Sequence, residues 1–89
     1  MLTRKVTIPN KLGLHARAAA KLVSTASGYA SQVLLNKNGD EINGKSIMGV
    51  MMLAASQGTP LTLTVNGEDE NEAMNAIVQL IEDKFGEGE

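Results

Sequence analysis

Cysteine and tryptophan are absent from this 89-residue chain, and tyrosine, phenylalanine and histidine occur once each. Without cysteine there is no disulfide and no thiolate metal site. One histidine with no second imidazole leaves a metal-ligand set incomplete, so no metal is expected. With so few aromatics, the core has to be built from Leu, Ile, Val, Met and Ala. No apolar run approaches the ~20 residues that span a bilayer. The opening "MLTRKVTIPN" alternates and lacks the apolar stretch of a signal peptide. There is also no basic run and no aromatic platform, which argues against nucleic acid as a partner. The formal net charge is −2. These absences point to a cytoplasmic protein with no membrane insertion and no cofactor.

What is present suits one small folded domain spanning residues 1–89. Hydrophobic residues make up 43% of the chain, enough for a core, although a chain near this size buries only roughly two-thirds of its unfolded surface. "LTRKVTI" (Leu2–Ile8) alternates as a half-buried strand does. Leu2, Val6 and Ile8 share one face, and Arg4 is the exception on it. "PNKLG" reads as a loop. From Ala16 the period becomes helical through Ala19, Leu22, Val23 and Ala26, with Gly28 as a left-handed stop. "SQVLLN" is a second strand. Asn38-Gly39 is a favoured hairpin pair leading to a short strand at Glu41–Asn43.

"SIMGVMMLAASQG" is expected to be a short helix with Ile47, Val50, Met51 and Ala54 on one stripe and Gly58 as its stop. "PLTLTVNG" alternates again, with Leu61, Leu63 and Val65 inward. Glu68, Asp69 and Glu70 suit the start of a last helix by opposing its dipole. Met74, Ile77, Val78, Ile81 and Phe85 form the apolar stripe of that helix. "GEGE" reads as a frayed acidic tail. The order is βαββαβα. Four strands cannot bury both faces, so the helices are expected on one face of an antiparallel sheet. The pattern does not decide the strand order, since a ferredoxin-like domain shares the βαββαβ string.

The lone His15 stands where the loop meets the first predicted helix. The first N–H groups of a helix lack intrahelical partners and carry the positive end of its dipole. An anion on His15 would lie against them. Arg17 adds a permanent cation whose planar fork suits phosphate. That positive setting disfavours imidazolium and keeps the ring neutral and nucleophilic. Gly13 lets the loop approach closely. Phosphoryl transfer through histidine needs this combination, because its catalysis is mostly positioning and charge stabilisation. The bland alternative is an exposed residue beside a helix cap, with no chemistry.

The longer string "GLHARAAAKLV" resembles the active-site signature of the HPr family, the histidine-containing phosphocarriers of the bacterial phosphotransferase system. "NGKSIMGVMMLAASQGTPLTL" resembles that family's second signature, around a regulatory serine, and "GEDENEAMNAIVQLIE" its final helix. Three blocks in the right order cover nearly the whole chain. The resemblance implies an α+β fold, an HPr-like open-faced β-sandwich. In it a four-stranded antiparallel sheet of order 1-4-2-3 is covered on one face by three helices.

The resemblance also implies a carrier and not an enzyme. His15 would be phosphorylated on Nδ1 by enzyme I, charged from phosphoenolpyruvate, and would pass the group to a IIA-type domain. Arg17 and the backbone of Ala16 would hold the phosphate. Ser46 would be the serine modified by an ATP-dependent HPr kinase/phosphorylase. Ile47, Met48, Met51, Met52 and Lys21 would dock partners, and the carrier would act as a monomer. Where the family has proline after the arginine, this chain has Ala18. Alanine fits both the sugar-transport carriers and the nitrogen-related regulatory carriers, so the branch stays open.

Ser46 also has a purely structural reading as an N-cap, worth about 1 kcal/mol. Met48 and Met52, four residues apart, read either as core filler or as an exposed ridge that adapts to several partners. Two rival functions accompany the carrier reading. One is a βαββαβ regulatory domain in which His15 and Arg17 hold an anionic metabolite non-covalently. The other is a nitrogen-related regulatory carrier, for which phosphorylation is a switch.

Overall fold

The computed structural model describes residues 1–88. It contains β1 (Leu2–Thr7), α1 (Ala16–Ser27), β2 (Gln32–Lys37), β3 (Asp40–Asn43), α2 (Ile47–Met52), β4 (Pro60–Asn66) and α3 (Glu70–Glu82), followed by a 3-10 turn at Lys84–Gly86. The four strands form one antiparallel sheet in the order β1-β4-β2-β3. This settles the order that the sequence pattern left open.

Local chemistry explains much of that order. Asn38 and Gly39 both take positive φ, 52° and 92°. This is the two-residue turn whose twist matches a hairpin, and it brings Lys37 opposite Asp40. β4 is central, with Leu61, Leu63 and Val65 all at or below 1% exposure. β1 takes an edge, where Arg4 can be accommodated. Its alternation puts it on the same face as Leu2 and Val6, yet its side chain stays 53% exposed and its guanidinium reaches Glu82 of α3 at 3.9 Å. In a central strand the same residue would bury an unpaired charge.

The core lies between one sheet face and the helices. Val33, Leu35, Leu61, Leu63 and Val65 meet Ala19, Leu22 and Ala26 of α1 and Ala73, Ile77 and Ile81 of α3 in one buried cluster. Thr3, Lys5 and Thr7 on the other face are exposed, and Thr62 and Thr64 are half-buried. Fully buried alanines at positions 18, 19 and 26 let α1 sit close, since Ala adds no side chain beyond Cβ.

Three local expectations change, at Gly28, at the end of α2 and at Phe85. Gly28 does follow α1, but at φ −75°, so it stops the helix without the left-handed cap. α2 ends at Met52, well before Gly58, because Ala54 takes φ +50°. Leu53, 5% exposed, therefore joins the core in place of the exposed Ala54. α3 has the acidic start expected of it, with Asp69 at the N-cap and Glu70 in the first turn, but Asp69 makes no side-chain cap. Its carboxylate instead accepts the Ala30 and Ser31 backbone N–H groups at 2.8 and 2.9 Å and the Ser31 hydroxyl, which clips the α1–β2 loop to the start of α3. Phe85 is buried as its stripe predicts, but beyond the end of α3, at φ +56°.

Candidate functional site

His15 is the N-cap of α1. Its backbone is extended (φ −73°, ψ 178°), and its carbonyl accepts the Ala19 N–H at 2.8 Å. The loop before it is held from behind. Gly13 has φ +69°, and a Cβ there would lie 2.5 Å from the Ala55 carbonyl oxygen, so glycine is required by both conformation and space. Leu14 is buried, and its N–H donates to the same Ala55 oxygen at 2.8 Å. These contacts set where the imidazole starts.

The hydrogen bonds of the ring define its tautomer. Arg17 N–H donates to His15 Nδ1 at 3.3 Å. Nε2 meets a Glu87 carboxylate oxygen. A backbone N–H can only donate and an ionised carboxylate can only accept. The proton is therefore on Nε2, and Nδ1 carries a lone pair. His15 is half-buried, with its side chain 27% exposed and held at both nitrogens.

Glu87 is the residue that the sequence reading missed. The expected frayed tail instead folds back through three consecutive left-handed residues, Lys84, Phe85 and Gly86, at φ 54°, 56° and 76°. Phe85 anchors the turn with no exposed surface, and Lys21 Nζ donates to its carbonyl at 2.7 Å. Glu87 then reaches His15 with one carboxylate oxygen and accepts the Asn10 amide at 2.9 Å with the other. The Asn10 hydrogen bond is the main reason the Glu87 carboxyl sits below its ordinary value, aided by His15 and Lys21 and opposed by desolvation. The surroundings of His15 are thus of mixed sign, not wholly positive as the sequence suggests. The local signals for this contact were weak: a glycine-flanked glutamate in a tail, and an asparagine in a loop.

Leu12, His15, Ala16, Arg17, Lys21, Gly86 and Glu87 line one open depression of about 590 Å³. The Arg17 guanidinium makes no ion pair among the described residues. A small anion placed there would meet an unprotonated ring nitrogen, a helix N-terminus and an arginine together. Of the expected site residues, the structure brings His15, Ala16, Arg17 and Lys21 into this depression. Ala18, at the position where the resemblance has proline, is fully buried in the first turn of α1.

Ser46, Ile47, Met48, Met51 and Met52 belong to a second element. Ser46 is the N-cap of α2 and its Oγ accepts the Gly49 N–H at 3.1 Å. Val50 is fully buried, whereas Ile47, Met48, Met51 and Met52 are 39%, 69%, 44% and 78% exposed. α2 packs against α1, the helix that His15 caps. Leu12, 68% exposed, adds an apolar side chain that the sequence reading did not single out.

The family model described as "PTS HPr component phosphorylation site" matches residues 2–83. The chain is 57% identical to phosphocarrier protein HPr of Cupriavidus necator over 89 residues, covering all of both chains. An HPr structure from Thermoanaerobacter tengcongensis superposes with a TM-score of 0.95 at 50% identity, covering 98% of each chain. An HPr dimer structure from the same organism matches at 0.79 and 50% identity, covering 98% of this chain and all of that one. The sheet order, the three helices and these full-length likenesses lead to one assignment: the chain belongs to the HPr family of phosphocarriers of the bacterial phosphotransferase system.

Proposed function

We propose that the chain, as one domain over residues 1–89 in the cytoplasm, accepts a phosphoryl group on His15 Nδ1 from phosphorylated enzyme I and passes it to a IIA-type domain. The carrying observation is the Nδ1 lone pair at the N-terminus of α1, with Arg17 lining the same depression. The chain has no turnover of its own. It is loaded and unloaded by its partners.

In the transfer, the Nδ1 lone pair forms a bond to phosphorus while the donor's bond to phosphorus breaks, its electron pair leaving with the donor. No proton leaves His15, because Nε2 keeps its own. The N–H groups at Ala16 and Arg17 and the Arg17 guanidinium then face the phosphoryl oxygens. A hydrogen bond to a charged group contributes roughly 1.5–3 kcal/mol, so Arg17→Ala slows transfer without abolishing it.

The exposed side of α2 (Ile47, Met48, Met51, Met52) is the docking surface in this reading, together with Lys21 in the His15 depression. Ser46 is the regulatory site, open to a serine kinase where the host has one. The carrier works as a monomer, and sedimentation of the unphosphorylated protein at working concentration tests that. Incubation with enzyme I and phosphoenolpyruvate, using the sugar-transport and the nitrogen-related enzyme I in parallel, tests the function and its branch. Acid-labile phosphate on the wild type and none on His15→Ala, with both proteins folded, is the expected result. Phosphate incorporation surviving in His15→Ala sinks the reading, and saturable anion binding without a covalent product favours the non-covalent alternative.

A further inference from the structure

Asn10 is fully buried in the loop before His15. Its Nδ2 donates to two acceptors, the Gly13 carbonyl at 2.8 Å and Glu87 Oε1 at 2.9 Å. Both partners can only accept, so the amide is pinned in one orientation. Its Oδ1 is buried with no hydrogen-bond partner among the described residues. An orphaned buried oxygen is unfavourable, and an apolar residue of similar shape would avoid it. What the asparagine contributes is a bridge: one amide nitrogen links the loop that ends in His15 to the carboxylate that meets His15 from the tail.

We propose that Asn10 and Glu87 are positioning residues that hold His15 in its Nε2–H tautomer, ready to react at Nδ1. This rests on the carrier reading above. Glu87 touches the ring, and Asn10 acts through Glu87. The carboxylate has two oxygens; Asn10 holds one, and this aims the other at Nε2. The tail is prevented from swinging away by buried Phe85 and by the Lys21 bond to its carbonyl. A carboxylate that accepts from one imidazole nitrogen fixes the tautomer and the orientation of the ring, as such groups do behind metal-bound histidines. Once Nδ1 is phosphorylated the ring carries a positive charge in its Nε2–H form. The same carboxylate then faces that charge, so acceptor and carrier states are held by one contact. No proton has to be moved in either direction.

The test reads the tautomer directly, without enzyme I. Long-range proton–nitrogen NMR on ¹⁵N-labelled protein, above the titration range of the ring, distinguishes a protonated from an unprotonated Nδ1. The wild type is expected to show Nδ1 unprotonated. In Glu87→Ala the Nδ1–H population should rise about fivefold, the factor that one net hydrogen bond of ordinary strength supplies. Glu87→Gln, which keeps an acceptor oxygen, should restore most of the wild-type ratio. Asn10→Asp keeps the size of the side chain but sets a carboxylate against Glu87, and should behave like Glu87→Ala. If Asn10→Asp fails to fold, the two tail variants alone decide, because Glu87 lies outside the core. With enzyme I, acceptance of phosphate by Glu87→Ala should slow, because no carboxylate then faces the charge that the ring gains on phosphorylation, while the donor concentration for half-maximal rate is unchanged. A wild-type tautomer ratio in Glu87→Ala overturns the proposal whatever the rate. A shifted ratio in a protein that never accepts phosphate, wild type included, overturns the carrier reading instead and leaves the positioning role standing.

Discussion

Lys21 Nζ donates to the carbonyl oxygen of Phe85 at 2.7 Å, a bond between α1 and a residue 64 positions later. Phe85 itself is fully buried with φ +56°. A left-handed conformation costs a non-glycine residue roughly 1–2 kcal/mol. Burial of a large aromatic side chain and the lysine bond together offset that cost.

Phe85→Ala should therefore destabilise the protein by about 3–5 kcal/mol, through the lost transfer term and the cavity left behind. Thermal or urea unfolding measures it. A loss below about 1 kcal/mol would mean that the tail turn is not anchored by this ring.

Gly13→Ala should be strongly destabilising for a single methyl group. The new Cβ would sit 2.5 Å from the Ala55 oxygen, in a backbone that L side chains avoid. The left-handed term alone is about 1–2 kcal/mol, and overpacking adds about 1–3. The expected total exceeds 2 kcal/mol. Because the displaced loop leads into His15, phosphate acceptance should fall as well, even in the fraction that stays folded.

Asp69 should give stability a dependence on acid. The Ser31 hydroxyl and then the Ala30 N–H lower its carboxyl below the ordinary value of 3.8. A carboxyl lowered in the folded state contributes stability that is fully present above its unfolded value and is lost as pH falls through its folded value. Glu70, held chiefly by the Gly67 N–H, and Glu87, held chiefly by Asn10, act with the same sign. Asp69→Asn should melt below the wild type at neutral pH, and the gap should close as pH drops below 3.8. A gap that is constant from pH 7 to pH 2 would assign the effect to shape and not to charge.

Met48→Asp and Ser46→Asp should separate docking from stability. Met48 is 69% exposed, so the free protein hydrates the new carboxylate, whereas a partner covering α2 would have to bury it unpaired. Unfolding curves should stay near wild type while the rate of phosphorylation by enzyme I falls. At Ser46 the negative charge also opposes the helix dipole, so stability should hold or rise slightly as the same rate falls. Loss of stability in either variant, or wild-type phosphorylation in both, contradicts the docking role of α2.

The features legible from sequence were local ones. Alternation over Leu2–Ile8 and Leu61–Val65 marks half-buried strands because successive side chains point to opposite faces. Asn38-Gly39 marks a hairpin because both residues tolerate positive φ. Ser46 marks a helix start because its hydroxyl can accept a free N–H three residues on. The junction at His15 is of the same kind, since helical spacing begins right after it. The end of α2 is not legible in the sequence, because Ala54 adopts a left-handed conformation that nothing in its residue type announces.

By themselves, then, the residues of this chain determined its elements, the helix cap occupied by its one histidine and the cation beside it, all set by forces acting over a few positions. The tertiary structure decided what that histidine faces. Glu87 lies 72 positions from His15 and 77 from Asn10. Neither separation leaves a periodic trace, because the contact depends on the packing of α3, the burial of Phe85 and the direction of the turn after it. The edge place of β1 was decided in the same way. Arg4 stood out in the alternation, but only the assembled sheet, with solvent and Glu82 beside its outer strand, shows where such a residue can be tolerated.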